Sequence, residues 1–190
     1  MKHDNFDLRI LKLMTLYQNE FRIESTRLRN WDYRSRGWYF VTICAHQRVH
    51  IFGEIANREV QLSQIGRIAE SDLQSLSSHY ANVQVDAHIV MPNHVHAIIM
   101  IHGDHCYSPN PTNLPPARGI SPQAVSLSTI VRSYKAGVTR RCHELGLRQD
   151  IWQSRFYDKL LRRDPMISAV RKYIWNNPAN WADDRENLVS

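Results

Sequence analysis

The chain lacks several features that define common protein classes. Within its 190 residues no apolar run approaches the ~18 residues that a membrane span requires, and the N-terminus carries Asp4, Asp7 and Glu20 and has no secretory hydrophobic region. Its three cysteines, Cys44, Cys106 and Cys142, are odd in number and widely spaced, which argues against a disulfide framework. We therefore expect a cytoplasmic protein with no membrane partner.

Motifs for nucleotide-driven or two-metal chemistry are missing as well. The chain contains no P-loop and no obvious carboxylate triad of the two-metal nuclease kind. Its composition, 43% hydrophobic and 22% charged, is that of one folded globular domain. We predict a polar, partly helical leader over residues 1–29, a single domain over 30–181 and a tail over 182–190.

Positive charge is concentrated in one part of the chain. Residues 126–175 hold 11 Lys/Arg against 4 Asp/Glu, whereas residues 1–125 hold 12 against 11. This concentration predicts a polyanion-binding face, and its richness in arginine favours phosphate, although a solvated helix face is the alternative. The residues predicted to contact nucleic-acid phosphates are Arg132, Lys135, Arg140, Arg141, Lys159, Arg162 and Arg163.

Hydrophobic periodicity predicts strands and helices in alternation. Period-two alternation and β-branched or aromatic runs indicate strands, and apolar residues at helical spacing indicate helices. Five of the eight prolines fall within residues 102–125, which predicts a loop. The order of elements suggests an antiparallel α+β sandwich. The predicted strands are 38–44, 83–89 and 94–101, and the predicted helices are 64–80, 127–138 and 164–177.

A His-x-His pair opens the apolar strand that follows Pro92. Alternate residues of a strand share a face, so His94 and His96 should lie side by side, and neutral imidazoles are common ligands of divalent metals. Two ligands do not complete a metal site, and a chance pair on a half-buried strand is the alternative. On the preceding strand, His88 is a further ligand or a polar strand residue, and we favour the latter. Asp86 shares its face and is a weaker candidate for orienting a histidine.

The last predicted helix carries Tyr173 and Asn177, which are one turn apart and share a face. Tyrosine can attack a phosphodiester, and an amide oxygen can complete a two-histidine metal set. Core packing and helix termination are the alternatives for these two residues. Tyr134 and Tyr157 are other candidate nucleophiles, but Tyr134 lies on a buried stripe and Tyr157 has no ligand one turn later.

Two further groups of residues have open roles. Residues 102–106, with two histidines, an aspartate and a cysteine, form either a second metal cluster or a solvated loop, and we favour the loop. Trp152, Phe156 and Trp175 either stack on unpaired bases or pack in the core, and we favour the core for each.

Five separated blocks of the chain, taken together, resemble a known family. The blocks are Gly37-Trp-Tyr-Phe-Val-Thr-Ile-Cys44, Val90-Met-Pro-Asn-His-Val-His96, Trp152-Gln153, Asp158 and Tyr173-Ile-Trp-Asn-Asn-Pro178. In this order they are similar to the REP-associated tyrosine transposases, which belong to the HUH single-tyrosine transposases of the insertion-sequence-200-like group. The resemblance covers residues 25–181, and Val95 fills the hydrophobic position between the two histidines.

This resemblance implies a fold, a site and a substrate. The fold would be a ferredoxin-like or RRM-like antiparallel sheet backed by helices, the HUH endonuclease fold. His94, His96 and Asn177 would bind a divalent metal, with magnesium or manganese favoured and zinc possible. Tyr173 would cut single-stranded or hairpin DNA and form a 5′-phosphotyrosine, in a monomer or a homodimer. The alternatives are a domesticated repeat-DNA-binding protein that does not cut and an RRM-like RNA-binding module.

Overall fold

The computed structural model describes residues 14–17, 20–23, 31–102 and 125–183. Most of the predicted leader, proline-rich loop and tail lies outside these residues, as does the 102–106 group beyond His102. The strands β1 (Met14–Tyr17) and β2 (Glu20–Ile23) pair antiparallel, so the described part of the leader is a hairpin where partial helix was expected.

The described chain contains eight strands and four α-helices. The remaining strands are β3 (Gly37–Cys44), β4 (Gly53–Ala56), β5 (Glu59–Leu62), β6 (Val83–Met91), β7 (His94–Ile101) and β8 (Tyr157–Leu161). The helices are α1 (Gln64–Gln74), α2 (Leu76–His79), α3 (Leu127–Glu144) and α4 (Asp164–Asn176), and two 3-10 segments span His46–Arg48 and Pro178–Asp183.

A four-stranded sheet with the order β6-β7-β3-β8 forms the centre of the domain. All three pairings are antiparallel, and β4 pairs with β5 in a separate hairpin. The antiparallel α+β fold, a sheet backed by helices, is therefore confirmed.

Each predicted strand and helix is present, with differences in detail. The predicted helix over 64–80 divides at Ser75 into α1 and α2. Ser63 caps α1 because its hydroxyl accepts from the Gly66 N–H at 3.0 Å. The strand β8 and the β4–β5 hairpin were not predicted, since their four or five residues are too short to show a clear period.

The two faces of the sheet pack against different helices. One face, with Val41 and Ile99, packs against α1 and α3 in the larger apolar core. The other face, with Phe40 and Ile98, packs against the buried stripe of α4 (Ile167, Val170 and Ile174). His94 and His96 alternate with residues of the larger core, so their side chains lie on the α4 face. No helix among the described residues is both long and apolar enough to cross a membrane.

Candidate active site

His94 and His96 lie side by side at the start of β7. In the register with β3 they pair with Cys44 and Thr42, in the middle of the sheet, so neither imidazole reaches solvent. His94 is 0% and His96 2% exposed, and their ring centroids are 4.3 Å apart. The structure thus brings together the two side chains that the strand spacing predicted to share a face.

Hydrogen bonds at Nδ1 orient both imidazoles. His94 Nδ1 donates to the Asn93 amide oxygen at 2.8 Å. Because an amide oxygen only accepts, the proton of neutral His94 is on Nδ1 and the Nε2 lone pair is left bare. His96 Nδ1 lies 3.0 Å from the Thr42 hydroxyl. Partners of this kind are the usual means of orienting a metal-binding histidine.

Both imidazoles are held in the neutral form that a metal ligand needs. Burial lowers the pKa of His94 well below its usual value, with further contributions from His96 and Arg48. Burial and the charge of Arg48 lower the pKa of His96 to about 3. At neutral pH neither ring carries a second proton, so each imidazole keeps one nitrogen lone pair with which it could bind a metal ion.

Tyr173 reaches this pair from α4. Ile167, Val170 and Ile174 pin the helix onto the sheet, and Pro165 at its first turn sets its start. The Tyr173 hydroxyl is 3.3 Å from His96 Nε2, and the two rings lie 5.3 Å apart between centroids. The predicted nucleophile and the predicted ligands, 77 residues apart in sequence, therefore form one cluster.

Asn177 ends the same helix and is almost completely buried, with 2% of its surface exposed. Its Oδ1 has no hydrogen-bond partner, and neither has Nε2 of His94. Buried acceptors without partners are costly and rare, so two of them need an explanation. An imidazole nitrogen and an amide oxygen are both suitable ligands, so each of these two atoms could bind a divalent cation. Among the described residues no three His, Cys, Asp or Glu side chains cluster as a metal site.

Two alternatives from the neighbouring strand are wrong. The turn at Pro92 and Asn93 pairs Met91 with His94, so that His88 pairs with Ala97 and faces the side of the sheet away from His94. Asp86 does not orient a histidine. Both of its carboxylate oxygens accept from Arg171 of α4 at 2.7 Å.

The two other candidate tyrosines have different surroundings. Tyr134 is 2% exposed on the far side of the sheet, where its hydroxyl donates to the Ala69 carbonyl at 3.0 Å. Burial raises its pKa well above the usual value, which disfavours a phenolate there. Tyr157 pairs with Thr42 across the sheet and so faces the same side as His96. Tyr157 is therefore the matched control for substitutions of Tyr173.

The seven predicted phosphate contacts are divided between the two sides of the sheet. Four of them, Arg132, Lys135, Arg140 and Arg141, are on α3, across the sheet from the histidines. Lys159 is on β8 facing the α4 side, and Arg162 and Arg163 follow that strand.

Intramolecular contacts engage several of these cations. Arg141 pairs with Asp72, Arg140 lies 3.8 Å from Glu144, and Arg162 lies over the Trp31 ring. Lys135 donates to the carbonyls of residues 153 and 155 at 2.6 and 3.0 Å, and burial lowers its pKa to about 8. Arg132 is exposed on the surface of α3.

Sequence reasoning missed Arg48. Gln47 and Arg48 have φ values of 49° and 59°, a left-handed conformation that is costly for residues with a side chain. The turn that carries them is tied to the histidine turn, because the Ala45 N–H donates to the Asn93 carbonyl at 2.8 Å. Nothing in the local sequence indicates this proximity, which depends on pairing between β3 and β7.

Comparison with known proteins finds a relative in sequence and neighbours in structure. The chain is 34% identical over 167 residues to an uncharacterized protein of Haemophilus influenzae, covering 85% of this chain and 91% of that protein. It shares its fold with a REP-associated tyrosine transposase bound to a REP hairpin, at a TM-score of 0.53 and 17% identity, covering 82% of this chain and 74% of that one. No protein-family model matches the chain.

Proposed function

The chain belongs to the same family as this Haemophilus influenzae protein, and we propose that it is a transposase-type enzyme that cuts and rejoins single-stranded DNA through Tyr173. The observation that carries the proposal is the 3.3 Å approach of the Tyr173 hydroxyl to His96, whose ring lies 4.3 Å from that of His94 between centroids. The hairpin bound by the structural neighbour supports hairpin or repeat-end DNA as the substrate class.

His94, His96 and Asn177 would hold a divalent ion, with magnesium or manganese favoured and zinc possible. Such an ion, when bound, would polarise a non-bridging phosphate oxygen as a Lewis acid. Neutral ligands suit this role because they leave the charge of the ion uncompensated. Asn93 and Thr42 would keep the two imidazole rings oriented by holding Nδ1.

Tyr173 would supply the nucleophile. Its oxygen forms a bond to phosphorus while the bond from phosphorus to O3′ breaks, which leaves a 5′-phosphotyrosine and a free 3′-hydroxyl. The phenol proton is lost and the departing O3′ gains one, so the proton count balances. The phosphoester energy is retained, and another 3′-hydroxyl can reverse the step without ATP. An ordinary tyrosine has a pKa near 10, so positive charge at the site is needed to favour the phenolate.

Arg48 would provide part of that charge. It acts on both histidines, and it lies on a turn fixed to theirs. A cation near the two imidazoles repels a metal ion and attracts an anionic DNA phosphate. We assign Arg48 to the phosphate and not to the metal.

Tyr173 and His96 meet within one chain, so we propose that each chain forms a complete site. Mixing a Tyr173→Phe protein with a His94→Ala, His96→Ala protein tests this. No cleavage should be recovered, and recovered cleavage would show that Tyr173 acts on a partner's metal site.

The activity itself is tested by denaturing electrophoresis after incubation with single-stranded hairpin DNA and Mg²⁺ or Mn²⁺. We expect a covalent protein–DNA adduct that Tyr173→Phe abolishes without loss of DNA binding. A chelator or the His94→Ala, His96→Ala change should have the same effect, whereas the matched Tyr157→Phe change should leave the adduct. Hairpin binding without any adduct would indicate a non-cutting repeat-DNA-binding protein, and a preference for RNA would indicate an RNA-binding module.

A further inference from the structure

Trp175 lies on α4 but outside the apolar stripe of that helix. It is 65% exposed, more than the other two large exposed apolar residues of the described chain, Val49 and Leu145, at 48% and 57%. Its neighbour Ile174 is completely buried. The prediction that Trp175 packs in the core is therefore wrong, whereas Trp152 and Phe156 do pack against the larger core.

A single exposed apolar side chain is common and assigns nothing by itself. Here the surroundings add information, since residues three and four positions apart on a helix are neighbours, and these are Lys172 and Arg171. Lys172 is exposed, and Arg171 is partly exposed beside the Trp38 ring at 5.4 Å. Because Arg171 is paired with Asp86, the patch joins an open aromatic face to the cation of Lys172, within the segment 126–175 that carries most of the excess positive charge.

This combination selects one kind of occupant. Surfaces that bind unpaired nucleic acid combine aromatic side chains, on which bases stack, with cations that meet phosphates. In a duplex the bases are already stacked on one another, and a second copy of this chain would bring the same positive charge against itself. A flexible single strand satisfies both the indole and the cations.

The position of Trp175 limits which base it can hold. Two positions along an α-helix correspond to about 200° of rotation and about 3 Å of rise. Tyr173 faces His96, so Trp175 faces the opposite flank near the end of the same helix. The base concerned does not belong to the nucleotide at the attacked phosphate but to one farther along the strand.

We propose that Trp175, flanked by Lys172, is a stacking site for an unpaired base of a single strand that passes the helix carrying Tyr173. The proposal rests on the proposed function for the identity of the strand. It adds a binding contact that lies outside the metal site and that does not take part in the chemistry.

The test is equilibrium binding, by fluorescence anisotropy, of labelled oligodeoxythymidylate and of a matched strand in which every base is missing. Metal-free protein is used, so that no cutting interferes. Trp175→Ala should weaken binding of the thymidylate strand by about 5- to 100-fold and binding of the abasic strand far less. Trp175→Phe should retain most of the affinity. Lys172→Ala should weaken binding of both strands alike.

Leu145→Ala is the matched control, since Leu145 is also a large exposed apolar residue. It should change neither affinity, and all variants should unfold at the wild-type urea midpoint. Equal weakening of both strands by Trp175→Ala, or no weakening, would overturn the stacking site. So would a sedimentation experiment in which Trp175→Ala dissociates a dimer in the absence of DNA.

The adduct assay is run in parallel on the same proteins. Base-dependent binding through Trp175 without any adduct would leave the stacking site standing and refute the proposed cutting activity. An adduct without base-dependent binding through Trp175 would refute the stacking site alone.

Discussion

The ion pair between Asp86 and Arg171 should measurably fix the helix of Tyr173 to the sheet. The guanidinium donates to both carboxylate oxygens at 2.7 Å and lies 5.4 Å from the Trp38 ring centroid. The side chains are 32% and 15% exposed, for Arg171 and Asp86 respectively. Fully exposed ion pairs contribute ~0–1 kcal/mol to the free energy of unfolding, and hydrogen bonds to charged groups contribute ~1.5–3 kcal/mol. For this partly screened, two-pronged contact we expect a coupling free energy of about 1–2 kcal/mol.

The assay is a double-mutant cycle of Asp86→Ala and Arg171→Ala by urea unfolding. Arg171→Lys should recover only part of the coupling, because an ammonium cannot form both bonds in parallel. Arg34 and Asp32 also form a bidentate pair, but their side chains are 60% and 49% exposed. This pair is the control, and we expect no measurable coupling free energy for it. A coupling free energy near zero for Asp86 and Arg171 would refute the reasoning.

Three further outcomes are expected. First, burial lowers the pKa of His96 from 6.5 to about 3, so the contribution of this residue to the stability of the metal-free protein is largest above pH 6.5. On acidification from pH 6.5 towards pH 3, the free energy of unfolding should fall by up to ~1.4 kcal/mol per pH unit from this residue. Urea unfolding in the presence of a chelator measures this slope, which His96→Gln should reduce. Second, Asn177→Ala should weaken cleavage less than His94→Ala, since water can replace an amide oxygen, and added Mn²⁺ should restore adduct formation. Third, Arg132→Gln should lower the salt dependence of single-strand binding by about 0.7 in slope while leaving sequence preference unchanged, as salt titrations would measure.

Sequence patterns predicted the elements that have a clear period and a local chemical signature. The alternation before Pro92 and the His-x-His spacing placed β6 and β7, and the Asp164-Pro165 start placed α4. These local patterns do not show that Tyr173 lies next to His94 and His96, because the strand and the helix that carry them are far apart in sequence. Its geometry follows from the strand order and from the packing of α4, which no single segment encodes.

The features that the sequence left open, missed or predicted wrongly share one cause, which is that side-chain direction depends on tertiary structure. The role of His88 was left open, and only the pairing of Met91 with His94 across the turn shows that His88 lies on the face away from His94. Trp175 is exposed because α4 packs through its Ile174 side, whereas composition alone favoured burial of an indole. The position of Arg48 depends on a turn that a backbone hydrogen bond from Ala45 to Asn93 joins to the turn before β7.

The most direct test of the central claim is to trap the adduct and locate it by mass spectrometry. A single-stranded hairpin labelled at its 3′ end is incubated with metal and protein, digested with protease and analysed for the peptide that carries DNA. We predict that the 3′-labelled fragment is attached through its 5′-phosphate to Tyr173, and that a 5′-labelled fragment is released with a free 3′-hydroxyl. DNA attached to Tyr157 or any other residue, or a 5′-labelled fragment retained on the protein, would contradict the account.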